Sequence, residues 1–193
     1  MITKFGEFLN ENFSFPNKIT IEEFVDKLRL PLEEKDIIID WWNKNRKRFK
    51  ILYFKFNTTE PICGVFLDEN TIAVNSKESY RLPSEILLYI MLHESRHADQ
   101  EVNDKFSERY FNTVLNDDKE AFLKGYKELE SDANDYAIES MKEMGFDNFV
   151  NHMGKMMRGN EREGENVWKM MKADIEKYKS QTFSDLLLKQ IVG

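Results

Sequence analysis

The sequence predicts an α+β fold that is mainly α, with a small three-stranded sheet placed before a buried helix. Three observations carry this. Gly and Pro are scarce, at 8 and 4 of 193 residues, a balance that favours helices over a sandwich or barrel. Residues 51–76 hold β-branched and aromatic runs broken by tight polar turns. From Pro83 onward, apolar residues recur at helical spacing.

Each element has its own local reason. "TIEEFVDKLRL" (20–30) starts with Thr20 and carries Glu23 three residues later, the reciprocal pairing that caps a helix N-terminus. Pro31 separates it from a second amphipathic helix, 32–49. Next come "ILYFKFN" (51–57), "ICGVFLD" (62–68) and "TIAVNS" (71–76), three short strands of which the last two form a hairpin around "EN". "PSEILLYIMLHESRHADQEV" has Pro83 at its start and is apolar on nearly every side through Leu92, so it is expected to be a buried helix. A long helix follows over 117–145, stopped by Gly145, and further helices are expected at 165–180 and 183–192.

Composition narrows the function classes. The length suits one domain, and 15 Phe, 7 Tyr and 3 Trp supply bulky core material. The net charge of −7 argues against sequence-independent binding along nucleic acid, which depends on Lys and Arg neutralising phosphates. One basic run, "KNRKRFK" (44–50), goes against that average and reads as a solvated helix end, with a local nucleic-acid or anionic-surface patch as the minority reading. The single cysteine, Cys63, rules out an internal disulfide and a cysteine-rich zinc site. No apolar run has membrane-spanning length, and the N-terminus lacks a secretory pattern, so a cytoplasmic setting without membrane attachment is expected.

The chemistry concentrates in "HESRH" (93–97). His93 and His97 are four residues apart, which on a helix places both imidazoles on one face, one turn from each other. Two nitrogens can then converge on one ion, half of a tetrahedral shell. Glu94 is rotated by about 100° from His93, so its carboxylate can lie beside the ion without binding it. A third protein ligand is needed, and the carboxylates after His97 are the pool. Glu130 shares its helix face with Ala133, Asn134 and Ala137, small residues that let its helix approach closely. Glu128 and Asp132 fall on faces with Ser131, Asp135 and Glu139 that read as solvated, leaving Glu130 as the expected ligand.

Residues 93–97 followed by "ELESDANDYA" (128–137) resemble the gluzincin zinc metallopeptidases, particularly their minimal single-domain type. The resemblance implies a zincin-like fold over 12–193, with its core at about 50–145, and one Zn²⁺ per chain. It implies His93, His97 and Glu130 as zinc ligands, and Glu94 as the base that activates a zinc-bound water for peptide-bond hydrolysis. Asn134 stands where the family usually has an Asp supporting a motif histidine; an Asn can still accept the imidazole N–H, without the charge. The family aligns its substrate as an added strand on the sheet edge before the zinc helix, a role that would fall to "TIAVNS". An oxyanion donor is also expected, and His152, Tyr126, Tyr136 and Tyr110 remain open for it.

A separate resemblance lies at the N-terminus. "MITKFGEFLNE" is similar to the capsid-targeting peptides of internal head proteins in large contractile-tailed bacteriophages, with Phe5, Glu7, Phe8, Leu9 and Glu11 filling the pattern. It implies cleavage after Glu11 by a prohead protease, packaging in the virion and delivery to the host cytoplasm, with host proteins as partners. An ordinary amphipathic helix also explains the spacing of Phe5, Phe8 and Leu9. Three functions follow in order of support: a zinc peptidase acting on a peptide or protein substrate; a non-catalytic zincin-like protein that engages a host or virion protein; and a packaged DNA-associated protein using 44–50. Glu94 favours the first over the second, since a binding scaffold has little need for that carboxylate.

Overall fold

The structure, a computed structural model, describes residues 18–55, 63–153 and 164–177. The 1–11 peptide with its Glu11 and the helix expected at 183–192 lie outside the described residues. The elements run β1 (Lys18–Ile19), α1 (Ile21–Asp26), α2 (Leu32–Asn45), β2 (Lys50–Phe54), β3 (Gly64–Asp68), β4 (Thr71–Asn75), α3 (Ser76–Ser79), α4 (Ser84–Asp104), α5 (Phe106–Leu115), α6 (Lys119–Glu143) and α7 (Asp147–Met153). A further helix, α8, covers 164–177. The fold is thus mainly helical with one small mixed sheet. Among the described residues, no helix is long and apolar enough to cross a membrane.

The chain forms two compact units whose division falls inside α6, an unbroken helix. The first unit runs to Lys105 and resumes at Ser131; the second takes Phe106–Glu130 and α8.

In the first unit the sheet order is β1-β2-β4-β3. β2 pairs with β4 in parallel, with Ile51 opposite Ile72 and Tyr53 opposite Val74. β3 and β4 form the expected antiparallel hairpin, Val65 opposite Ala73, with an irregularity between Phe66 and Asp68. The turn is held by Asn70, whose backbone N–H donates to the Asp68 carboxylate at 2.8 Å. All five residues of β4 are buried, as suits a strand paired on both edges and covered on both faces. β1 is a two-residue strand, too short to produce an alternating pattern.

Helix ends follow local chemistry. Thr20 Oγ1 accepts from the Glu23 N–H at 3.2 Å and Glu23 accepts from the Thr20 N–H at 2.8 Å, completing the capping box. α2 ends at Asn45 rather than 49, because the chain turns at Arg46 and brings Phe49 against Trp42, ring centres 6.2 Å apart. Gly145 closes α6 at φ +87°, with its N–H on Lys142 C=O and the Phe146 N–H on Met141 C=O, both 2.9 Å. The core of this unit joins Phe24 and Val25 of α1, Ile38 and Trp42 of α2, Ile51, Ile72 and Val74 of the sheet, Leu88, Met91 and Leu92 of α4, and Ala137 and Met141 of α6. Each of these side chains is withdrawn from water, which is the main stabilising term for the unit.

The second unit is organised around aromatic rings. Phe122 is fully buried and lies 5.2 Å, centre to centre, from both Tyr110 and Trp168.

Candidate metal centre

α4 supplies most of the site. Its apolar residues up to Leu92 anchor it in the core, so the turns that follow are rigidly presented. His97 is buried and His93 half-buried, and their Nε2 atoms face each other at 2.9 Å. Glu130 of α6 completes a group of three, in which the three donor atoms all lie within 4.8 Å of one another. The group is close enough to hold a metal ion. A four-coordinate ion with metal–nitrogen bonds of about 2.0–2.1 Å sets its donors about 3.3 Å apart, which falls within the 4.8 Å that bounds this group. Two imidazoles and a carboxylate suit a borderline-soft divalent ion rather than calcium or magnesium, which take oxygen ligands.

Glu130 reaches this position through its helix. Ala133 and Ala137 are fully buried, and Asn134 nearly so, on the face of α6 that packs in the first unit. Glu130 is three residues before Ala133 on the same helix.

Glu94 sits on the neighbouring face of α4. Its carboxylate accepts the backbone N–H of Phe66, on β3, at 3.2 Å. Strand register explains why that N–H is directed there. Asn75 N–H donates to Cys63 C=O at 2.9 Å, so 63 and 75 form a hydrogen-bonded pair. Antiparallel alternation then turns the backbone groups of Gly64 and Phe66 away from β4. Gly64 permits the close approach: a Cβ there would stand 2.7 Å from Ile90 Cγ2 and 3.4 Å from Glu94 Cγ. This corrects the expectation for "TIAVNS". β4 is flanked by β2 and β3, and among the described residues the outer strand beside α4 is β3.

The other candidates are distributed as follows. Asn134 accepts a hydrogen bond from the Tyr89 hydroxyl, and the Tyr89 ring stacks on His93 at 6.1 Å. Tyr136 lies beneath two guanidinium groups, with Arg46 at 4.2 Å and Arg96 at 5.6 Å from its ring centre. His152 is exposed on α7. Tyr126 and Tyr110 belong to the second unit, where Tyr126 stacks on Phe122 at 6.1 Å and Tyr110 is buried against the same ring.

Three polar residues beside the histidines escaped the sequence reading. His97 Nδ1 is 2.7 Å from Gln100 Oε1, and Gln100 Nε2 donates to Asp132 Oδ2 at 2.6 Å. Arg96 donates to both Asp132 oxygens, at 2.8 and 3.1 Å. The Arg96 hydrogen bonds hold the Asp132 carboxyl below its ordinary range, and Asp132 in turn raises Arg96. Asp132 is therefore not simply a solvated helix residue. Gln100 carried a readable signal, since it follows His97 by three positions on the same helix face; Asp132 carried none. Within the basic run Lys44, Lys47, Arg48 and Lys50 are exposed as expected, and only Arg46 departs: it is buried, and with Arg48 it binds the carboxylate of Asp99, two residues after His97.

Comparison with protein-family models, with curated proteins and with solved structures finds no match to this chain.

Proposed function

We propose that this chain is a zinc-dependent metallopeptidase with a zincin-like fold, in which His93, His97 and Glu130 hold the ion and Glu94 is the general base. The observation that carries this reading is the convergence of those three donors, with a second carboxylate, that of Glu94, held on the same helix by a strand backbone. Three protein ligands leave one position open, the pattern of a catalytic rather than a structural site. A bound zinc would supply Lewis acidity, lowering the pKa of a water and polarising the scissile carbonyl.

The protein's own residues account for the proton movements. Glu94 takes a proton from the attacking water and then delivers it to the leaving amine. The Phe66 N–H orients the Glu94 carboxylate. An extended peptide would run along the outer edge of β3, where the backbone groups of Gly64 turn away from β4. Glu94 also favours this reading over a non-catalytic scaffold. The N-terminal resemblance adds that the peptidase is carried in a phage head and acts on a host or virion protein.

The test is a peptide-library digestion with zinc-loaded protein and its Glu94→Gln variant. Cleavage by the first and none by the second, at equal zinc content, is the expected result. Equal cleavage by both would remove Glu94 from its role, and absence of cleavage by either would favour the binding scaffold.

A further inference from the structure

We propose that Gln100 is a positioning residue of the metal centre: with its amide orientation set by Asp132, it holds His97 as the Nδ1–H tautomer and so points the Nε2 lone pair at the metal position. The inference rests on the metal-centre reading and adds to it a control element from outside the ligand set.

The hydrogen-bond polarity can be followed atom by atom. An ionised carboxylate only accepts, and Asp132 is held as one by two hydrogen bonds from Arg96. The end of Gln100 that meets Asp132 at 2.6 Å must therefore be its NH₂ group. Its other end, the carbonyl oxygen, then faces His97 Nδ1 at 2.7 Å. A carbonyl cannot donate, so Nδ1 carries the hydrogen. A neutral imidazole has only one N–H, which leaves the lone pair on Nε2. That Nε2 is the atom facing His93 Nε2 at 2.9 Å, inside the group that His97 forms with His93 and Glu130.

The geometry of the two helices makes the relay possible. Arg96 and Gln100 are four residues apart on α4, so they share a face and meet the same carboxylate on α6. Both helix segments belong to the first unit. Gln100 thus supplies, from the metal helix itself, the orienting acceptor that metal-bound histidines generally take from a carboxylate, a backbone carbonyl or a water.

The experiment compares four proteins: wild type, Gln100→Leu, Asp132→Ala and the double variant Gln100→Glu/Asp132→Asn. The double variant keeps an acceptor at His97 Nδ1 with the polarity of the second bond reversed. Long-range ¹H–¹⁵N correlation on the metal-free proteins, at a pH where imidazoles are neutral, reads the His97 tautomer. Competition with a chromophoric chelator reads zinc affinity. Wild type and the double variant should show the Nδ1–H form. Gln100→Leu and Asp132→Ala should show Nε2–H or a mixture, with zinc affinity weaker by about 10–100-fold. Should Gln100→Leu fail to fold, Asp132→Ala carries the same readout, because it frees the amide to rotate. An unchanged tautomer and unchanged affinity in the folded single variants would overturn the role of Gln100 alone. A wild-type chain that binds no zinc would instead overturn the underlying metal-centre reading.

Discussion

His93 and His97 direct their Nε2 atoms at each other across 2.9 Å, one turn apart on α4, with a Glu130 oxygen in the same small volume. Such a cluster is held together better with a cation inside it than without one. Purified protein should carry about one zinc per chain, and His93→Ala or His97→Ala should lose it. Zinc at 100 times its dissociation constant stabilises the folded state by about 2.7 kcal/mol. For a chain of this size that raises Tm by about 5–10 °C. Metal analysis with chelator-dependent thermal unfolding checks this, and a metal-free native protein with no zinc response would eliminate the centre.

Glu94→Gln should leave zinc content unchanged, because Glu94 is not among the three converging donors. A glutamine oxygen can still accept the Phe66 N–H, so the local geometry should persist. Only the proton acceptor is lost, which should lower kcat by about 10²–10⁴-fold. Steady-state kinetics on any peptide that the wild type cleaves would show it, and a kcat within a few-fold of wild type would contradict the assignment.

Gly64→Ala should be destabilising and should also impair turnover. The added Cβ would lie 2.7 Å from Ile90 Cγ2, closer than carbon atoms approach, and in contact with Glu94 Cγ at 3.4 Å, so the shift that relieves the clash falls beside Glu94. Overpacking of this kind costs about 1–3 kcal/mol. Adding Ile90→Ala to the same chain removes the clashing methyl and should recover part of the loss. Urea unfolding of the single and double variants tests this; full stability in Gly64→Ala would mean that β3 and α4 can separate freely.

Much of the first unit was legible because its signals are local. The Thr20/Glu23 box, the hairpin around Glu69–Asn70 and the Gly145 stop each depend on residues within a few positions of one another. The spacing of His93 and His97 belongs to the same class, and Glu130 emerged from its small neighbours Ala133 and Ala137. What escaped depends on distant partners. The parallel pairing of β2 with β4 places β3 outside, and no short-range pattern encodes which strand ends up at the edge. Asp132 and Arg46 looked solvated because each lies in a charged run, and only the fold brings Arg96 to one and Asp99 to the other.

The Asp99 contacts lead to a contrast between two arginines of one basic run. Both bind the same carboxylate, but the Arg46 side chain is 8% exposed whereas that of Arg48 is 42% exposed. Truncating the buried arginine removes a charge-assisted hydrogen bond worth about 1.5–3 kcal/mol, even though Asp99 keeps Arg48. Loss of an exposed partner costs about 1 kcal/mol or less, since water and salt screen it. Arg46 also packs over Tyr136, so Arg46→Ala sacrifices that stacking as well. Arg46→Ala should therefore lower the urea midpoint far more than Arg48→Ala, and the Arg48→Ala effect should shrink further at high salt. Equal losses in the two variants would show that Asp99 is solvated, and that the run at 44–50 does not brace the metal helix.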